Sequence, residues 1–247
     1  MSKCFVIEYD TIDYLSALNI QNRIRNIKEE DREYDNFLLL LQHEPPVFTL
    51  GKQGKRSEIL VSDEVLEKEG IEVLEIRRGG KVTYHGPGQL VAYFLLDLIQ
   101  LKITIPDFVH KMEEVVIQTI MEYNIEGFRR EEYPGVWIKH NGQISKIAAV
   151  GARASKHITS HGLALNINTN MSHFQMIIPC GITDFKPISL KEVLNRSVDM
   201  REVYEKFKNN FTKVFNIEIK DLSPRDLLTK IEKKEKEREK QKNNKEK

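Results

Sequence analysis

Cys180, set between Pro179 and Gly181, is the residue of this 247-residue chain with the clearest nucleophilic potential. A thiol with an ordinary pKa of about 8.5 is only a few per cent ionised at neutral pH, so it needs a base or a positive charge beside it. Lys146, His85 and His161 are the candidates. Lys146 stands out because it enters the otherwise apolar run Ile147-Ala148-Ala149-Val150. The second concentration of chemistry is Arg78-Gly79-Gly80-Lys81-Val82-Thr83-Tyr84-His85-Gly86-Pro87-Gly88-Gln89, which holds four of the 13 glycines. Glycines at that density let a backbone approach a ligand without a Cβ in the way, whereas a tight turn needs one or two. The spacing matches neither a phosphate-binding loop nor a dinucleotide fingerprint. The plainer alternatives are a buried structural thiol at Cys180 and a solvent-facing strand residue at Lys146. His157 and His161 have an i, i+4 spacing but no carboxylate or Cys companion, so no metal site is expected.

Alternating strands and helices must position these groups. Cys4 to Glu8 reads as a first strand, followed by a helix capped at Asp10 or Thr11 whose face carries Leu15, Leu18, Ile24 and Ile27. Phe37 to Leu41 is continuously apolar, as in a strand buried on both faces. After Pro45-Pro46 the chain re-enters as Val47 to Leu50. Ser62 opens a short helix with Val65 and Leu66, closed by Gly70. The glycine-rich stretch is expected as a loop between strands at Ile71 to Arg77 and Leu90 to Leu98. Pro106 starts a helix through Phe108, Met112, Val116 and Ile120. Asn141-Gly142 turns a hairpin between Gly135 to His140 and the strand of Lys146, and Ile158 to Asn168 is again extended. Helices at Ser189 to Leu194 and Asp199 to Phe211 and a strand at Phe215 to Ile219 complete an α/β domain ending near residue 220. Residues 221–247 are expected as a charged, flexible tail, since Lys230 to Lys247 contains one apolar residue, Ile231.

Composition narrows the function classes. Lys plus Arg number 38 and Asp plus Glu 37, giving a net charge of +1 and no footprint for nucleic acid or an anionic membrane. Two cysteines cannot build a disulfide framework and suit a reducing compartment. No signal or transit peptide is visible, and the longest apolar runs are far too short to span a bilayer. A cytoplasmic monomer is expected.

Four ordered motifs carry a specific resemblance. Arg78-Gly79-Gly80-x-x-Thr83-Tyr84-His85-Gly86-Pro87-Gly88-Gln89-Leu90-Val91, Lys146-Ile147-Ala148-Ala149-Val150-Gly151, Ser160-His161-Gly162-Leu163-Ala164-Leu165-Asn166 and Pro179-Cys180-Gly181-Ile182 closely resemble the lipoyl(octanoyl) transferase family. His43-Glu44-Pro45-Pro46-Val47-Phe48-Thr49-Leu50-Gly51 looks like its N-terminal signature, so the match covers roughly residues 38–185. Ala92 and Phe94 depart from the family's usual Gly and Pro around Tyr93, and the charged tail is no part of the pattern.

The resemblance implies a mixed β-sheet flanked by helices, an α/β (α+β) fold like the catalytic domain of biotin and lipoate protein ligases. It implies transfer of octanoyl or lipoyl groups from acyl carrier protein to a lysine of lipoyl domains, those of 2-oxoacid dehydrogenase E2 subunits and the glycine-cleavage H protein. No cofactor is implied. Carried over by position, Cys180 is the acyl-thioester nucleophile and Lys146 lowers its pKa. Arg78, Gly79, Gly80, Lys81, Val82, Thr83, Tyr84 and His85, with Ala149, Val150, Gly151, Gly162, Leu163 and Ala164, line the substrate site. The rivals are an ATP-dependent ligase on the same fold, which needs no thiol, and a non-catalytic carrier-binding protein, which needs neither Cys180 nor Lys146.

Overall fold

Strand β2 (Asn36–Leu41) shows how the architecture follows from the sequence. Its side chains alternate between two cores: Leu38 and Leu40 face one, Phe37, Leu39 and Leu41 the other. A strand with period-two side chains can be apolar throughout only if both faces of its sheet are covered. β6 (Gln89–Leu95) repeats the division, with Leu90, Ala92 and Phe94 on one side and Val91, Tyr93 and Leu95 on the other.

The computed structural model describes residues 3–76, 78, 80–178 and 185–245. Its large sheet also contains β1 (Lys3–Glu8), β7 (Gly127–Phe128), β8 (Gly135–His140), β9 (Gln143–Ser155), β10 (Ile158–Asn166) and β11 (Glu218–Asp221). The eight strands run in the order β11-β1-β2-β6-β10-β9-β8-β7. The β11-β1 and β1-β2 pairs are parallel and the remaining pairs antiparallel, so the sheet is mixed as expected. One face is covered by α3 (Ile105–Met121) and α5 (Met200–Phe215), which bury Phe108, Met112, Val116, Phe207 and Phe211. The other is covered by α1 (Tyr14–Glu30).

A second, three-stranded sheet, β4-β3-β5, contains β3 (Val47–Leu50), β4 (Glu72–Glu75) and β5 (Val82–His85). With α2 (Asp63–Glu69) it encloses a third core around Phe48, Leu66 and Tyr84. β5 corrects one expectation. Within the glycine-rich stretch, Val82 to His85 form a strand that pairs antiparallel with Leu50 to Val47. Glycine density hid the strand, because Val82-Thr83-Tyr84 is itself β-prone.

The helix boundaries contain a second correction. Asp13, not Asp10 or Thr11, caps α1, its carboxylate accepting from the Ser16 N–H at 2.8 Å. Register shifts with it: Tyr14, Ala17, Ile20, Ile24 and Ile27 face the core, while Leu15 is 55% exposed.

Residues 224–245 supply the third. They form α6 (Pro224–Lys245) in place of a flexible tail. Leu227 and Ile231 are fully buried against the core beneath α1. Arg23 with Glu235, Lys234 with Asp31 and Lys230 with Asp35 form ion pairs at 2.6 to 2.8 Å. Two apolar residues one turn apart are enough to seat a charged helix, and composition averaged over the segment conceals them. Full burial of each is worth about 2 kcal/mol, against about 0–1 kcal/mol for a partly exposed ion pair. Deleting residues from 225 onward is therefore expected to lower unfolding stability by roughly 3–6 kcal/mol, mostly through these two side chains. Urea melts of the truncated chain and of Leu227→Ala check this. A midpoint unchanged by both would show that the helix contributes nothing to the fold.

Candidate functional site

A pocket opens where the two sheets meet. Arg78, Gly80, Thr83 and His85 form one side, Ala149, Val150 and Gly151 of β9 another, and Gly162, Leu163 and Ala164 of β10 a third. Three separate motifs thus converge because β10 pairs with β9 on one edge and β6 on the other, with Gly162 opposite both Gly151 and Tyr93. Gly162 has to be glycine: a Cβ there would lie 2.1 Å from Ala92 O. The apolar walls and small side chains suit an unbranched acyl chain.

Three expected lining residues are placed elsewhere. Val82 and Tyr84 alternate to the opposite face of β5, into the third core, where the Tyr84 hydroxyl is 2.9 Å from His173 Nδ1. Lys81 pairs with Glu58 at 3.7 Å. Gly79 and Cys180 lie outside the described residues. Conversely, Tyr14, Val91, Tyr93 and His161 join the lining. Tyr14 carries no local signal, since it reaches the pocket from α1, more than sixty residues from Arg78 in the chain.

Arg78 is 6% exposed and anchored on β3: its Nε donates to Thr49 Oγ1 at 3.1 Å and its Nη2 to Thr49 O at 2.7 Å. Behind it lies a group of buried imidazoles and phenols. His43 Nδ1 donates to Ile12 O at 3.0 Å, which leaves Nε2 to accept the Tyr93 hydroxyl at 2.7 Å. Burial pulls His43 and His161 down to about 4 and His85 well below 6.5, and it raises the Tyr14 hydroxyl to about 12. The imidazoles are therefore neutral at pH 7. His161 also sits at φ 58°, a left-handed conformation unusual outside glycine, held by its N–H donating to Gln21 Oε1 at 2.8 Å.

This burial has a pH consequence. Between pH 6.5 and about 4 the unfolded chain takes up protons at His43 and His161 that the folded chain refuses, so stability falls as pH drops through that window. The loss is on the order of 3 kcal/mol per histidine by pH 4. Denaturant titrations at pH 7 and 5 should show a smaller drop in His43→Gln than in the parent. An equal drop would mean that His43 does not titrate in this window.

A second pocket shares Thr83, Ala149 and Ala164 with the first. Lys146 lines it, with Trp137, Phe174, Phe185 and Pro187. Lys146 Nζ lies 5.2 Å from the Trp137 ring centroid, a cation–π contact. Gly135 lies directly under this side chain, where a Cβ would be 2.5 Å from Lys146 Cε, and its φ of +135° excludes other residues independently. Backbone bonds tie Lys146 to the segment after Cys180: its N–H donates to Lys186 O at 3.3 Å and its carbonyl accepts from Ile188 N at 3.0 Å. Phe185 packs edge-on against Trp137 at 5.2 Å, with the Arg130 guanidinium 4.3 Å from its centroid. On the other side of Cys180, the Ile178 N–H donates to Glu58 O at 2.8 Å. Lys146 is therefore not a solvent-facing strand residue; it lines a pocket beside the first.

Comparison with known proteins gives one consistent picture. Residues 13–212 match the lipoyl protein ligase A/B catalytic domain. The chain is 41% identical to an octanoyltransferase of Desulforamulus reducens over 217 residues, covering 87% of this chain and 92% of the relative. It is 43% identical to an octanoyltransferase of Caldicellulosiruptor saccharolyticus, covering 91% and 94%. Among solved structures, a bipartite lipoate protein ligase system with its E2 lipoyl domain from Thermoplasma acidophilum superimposes with a TM-score of 0.72 at 14% identity, covering 94% of this chain and 91% of that one. A lipoate-protein ligase A bound with ATP gives 0.67 at 13% identity, covering 93% and 92%. Those structural likenesses establish the shared fold.

Proposed function

The chain belongs to the lipoyl protein ligase A/B catalytic domain family and is an acyltransferase of its octanoyl-transferring branch, and we propose that it works through a thioester on Cys180 assisted by Lys146. The observation that carries this reading is the position of Lys146. It lines a pocket that shares Thr83, Ala149 and Ala164 with the first, apolar-walled pocket, and its own backbone holds the segment that follows Cys180.

The chemistry follows from the residue types. The Cys180 thiolate attacks the octanoyl thioester of an acyl carrier protein, exchanging one thioester for another at little free-energy cost, so no nucleotide is needed. The C–S bond to the carrier breaks and the carrier thiol leaves. The ε-amine of an acceptor lysine then attacks the acyl-enzyme, forming an amide in a downhill step. The Lys146 ammonium favours the thiolate. The octanoyl chain lies along Val91, Ala149, Leu163 and Ala164, with Arg78, Gly80, Thr83, Val150, Gly151 and Gly162 completing the slot. The donor is octanoyl-acyl carrier protein, and the acceptors are lipoyl domains of E2 type and the related H protein, met in the cytoplasm.

Incubation with octanoyl-carrier protein, without acceptor or ATP, tests the reading. Intact-mass and peptide analysis should find one hydroxylamine-sensitive octanoyl group on Cys180. Modification elsewhere, or none unless ATP is added, would overturn it.

A further inference from the structure

Of the two imidazoles that line the first pocket, His85 and His161, the first has its tautomer fixed by its neighbours. His85 Nδ1 is 2.8 Å from Gln89 Oε1. The Gln89 amide cannot be turned over, because its Nε2 donates to Tyr84 O at 3.2 Å and to Asn166 Oδ1 at 3.0 Å. Asn166 is fixed in turn by its Nδ2 donating to Ile188 O at 3.1 Å. An oxygen at Gln89 Oε1 can only accept, so Nδ1 carries the proton. His85 is held neutral, and Nε2 therefore keeps its lone pair. Nε2 has no hydrogen-bond partner among the described residues, in a side chain that is 8% exposed and part of the pocket wall. The relay ends beside the second pocket, where Ile188 N–H donates to Lys146 O.

An acceptor that faces a pocket and has no protein partner among the described residues is open to a donor supplied by a ligand. Arg78 offers only N–H donors, which suit a carbonyl oxygen and not an amine. An octanoyl thioester brings no N–H or O–H at its reacting atoms. The acceptor lysine does.

We infer that His85 positions the attacking amine: its Nε2 accepts one N–H of the neutral ε-amino group and aims the nitrogen lone pair at the acyl carbon. This rests on the Cys180 thioester reading. In the step itself the C–N bond forms and the C–S bond breaks, its electron pair going to Cys180 sulfur. The proton released by nitrogen ends on that thiolate. His85 holds the amine without keeping the proton, which agrees with an imidazole that resists protonation.

Two half-reactions, measured separately, test the inference. Octanoyl-enzyme is formed from octanoyl-carrier protein, isolated, and reacted in single turnover with a saturating lipoyl domain. His85→Asn keeps a donor to Gln89 but removes the pocket acceptor. It is expected to slow transfer at least about tenfold more than acylation. His85→Gln places an amide oxygen near the Nε2 position and should recover part of the loss. In ¹⁵N-histidine spectra His85 should be protonated at Nδ1, and its Nε2 signal should move when N-acetyl-lysine amide is added to the acyl-enzyme. Equal slowing of both half-reactions overturns the inference, as does a selective transfer defect in His161→Asn but not in His85→Asn. If His85→Asn fails to fold, the spectrum decides: an Nε2-protonated tautomer, or an unmoved signal, overturns it. Absence of an acyl-enzyme in the parent protein would instead remove the Cys180 reading and this inference with it.

Discussion

Cys180→Ser is expected to fold normally and to lose about 10³-fold or more of octanoyl transfer, because a serine hydroxyl beside a cation is scarcely ionised at neutral pH. Circular dichroism and the urea midpoint should match the parent, and no octanoyl adduct should survive isolation. Cys4→Ser is the control. Cys4 is fully buried in β1, and burial pushes its thiol far above the ordinary range, so it is a poor nucleophile and a packing residue. Its replacement should leave transfer at the parent rate. Transfer by Cys180→Ser at anything near the parent rate would mean that the amine attacks the carrier thioester directly.

The second large effect is expected at Lys146. On the proposed pairing, Lys146→Ala removes the cation that favours the Cys180 thiolate, so the alkylation pKa of Cys180 should rise toward about 8.5, with acylation at pH 7 falling by one to two orders of magnitude, roughly. Lys146→Arg keeps the charge but does not release a proton at neutral pH. Its bulkier guanidinium must share the space over Gly135 and Trp137, so its fold is checked first. Rapid acylation followed by slow transfer in that variant would assign the charge of Lys146 to the first half-reaction and its proton to the second. An alkylation pKa unmoved by Lys146→Ala would end the pairing.

How much of this was legible in the sequence depended on the range of the interaction involved. The uninterrupted Phe37-Leu38-Leu39-Leu40-Leu41 run predicts a doubly covered strand, and Asn141-Gly142 predicts its hairpin, because both signals are local. Lys146 and the Ala149 to Gly151 segment could be placed on one strand for the same reason. Tyr14 could not be placed in the pocket, since it arrives from a helix whose register rests on which residue caps it, and Asp13 wins over Asp10 by accepting from Ser16. Tyr84, which the resemblance puts at the substrate, faces a core as a packing residue, because a strand inside a glycine-rich stretch imposes its own alternation. Gln89 and Asn166, whose amides orient His85, were visible only as members of motifs. Their connection spans 77 residues and exists only once β6 and β10 pair.

One edge of the large sheet joins strands from opposite ends of the described chain. β1 pairs in parallel with β11, Lys3 opposite Glu218 and Val6 opposite Asp221, and α6 then seals α1. During synthesis at about 5–20 residues per second, the first strand waits roughly 10–40 s for its outer partner. Throughout that interval one edge of β1 has unpaired backbone groups, and α1, which carries Tyr14 into the pocket, lacks its cover. The cover over α1 can therefore form only once Leu227 and Ile231 have been made, so a ribosome stalled before residue 220 would hold a chain with every motif of the site already made and its supporting helix still loose.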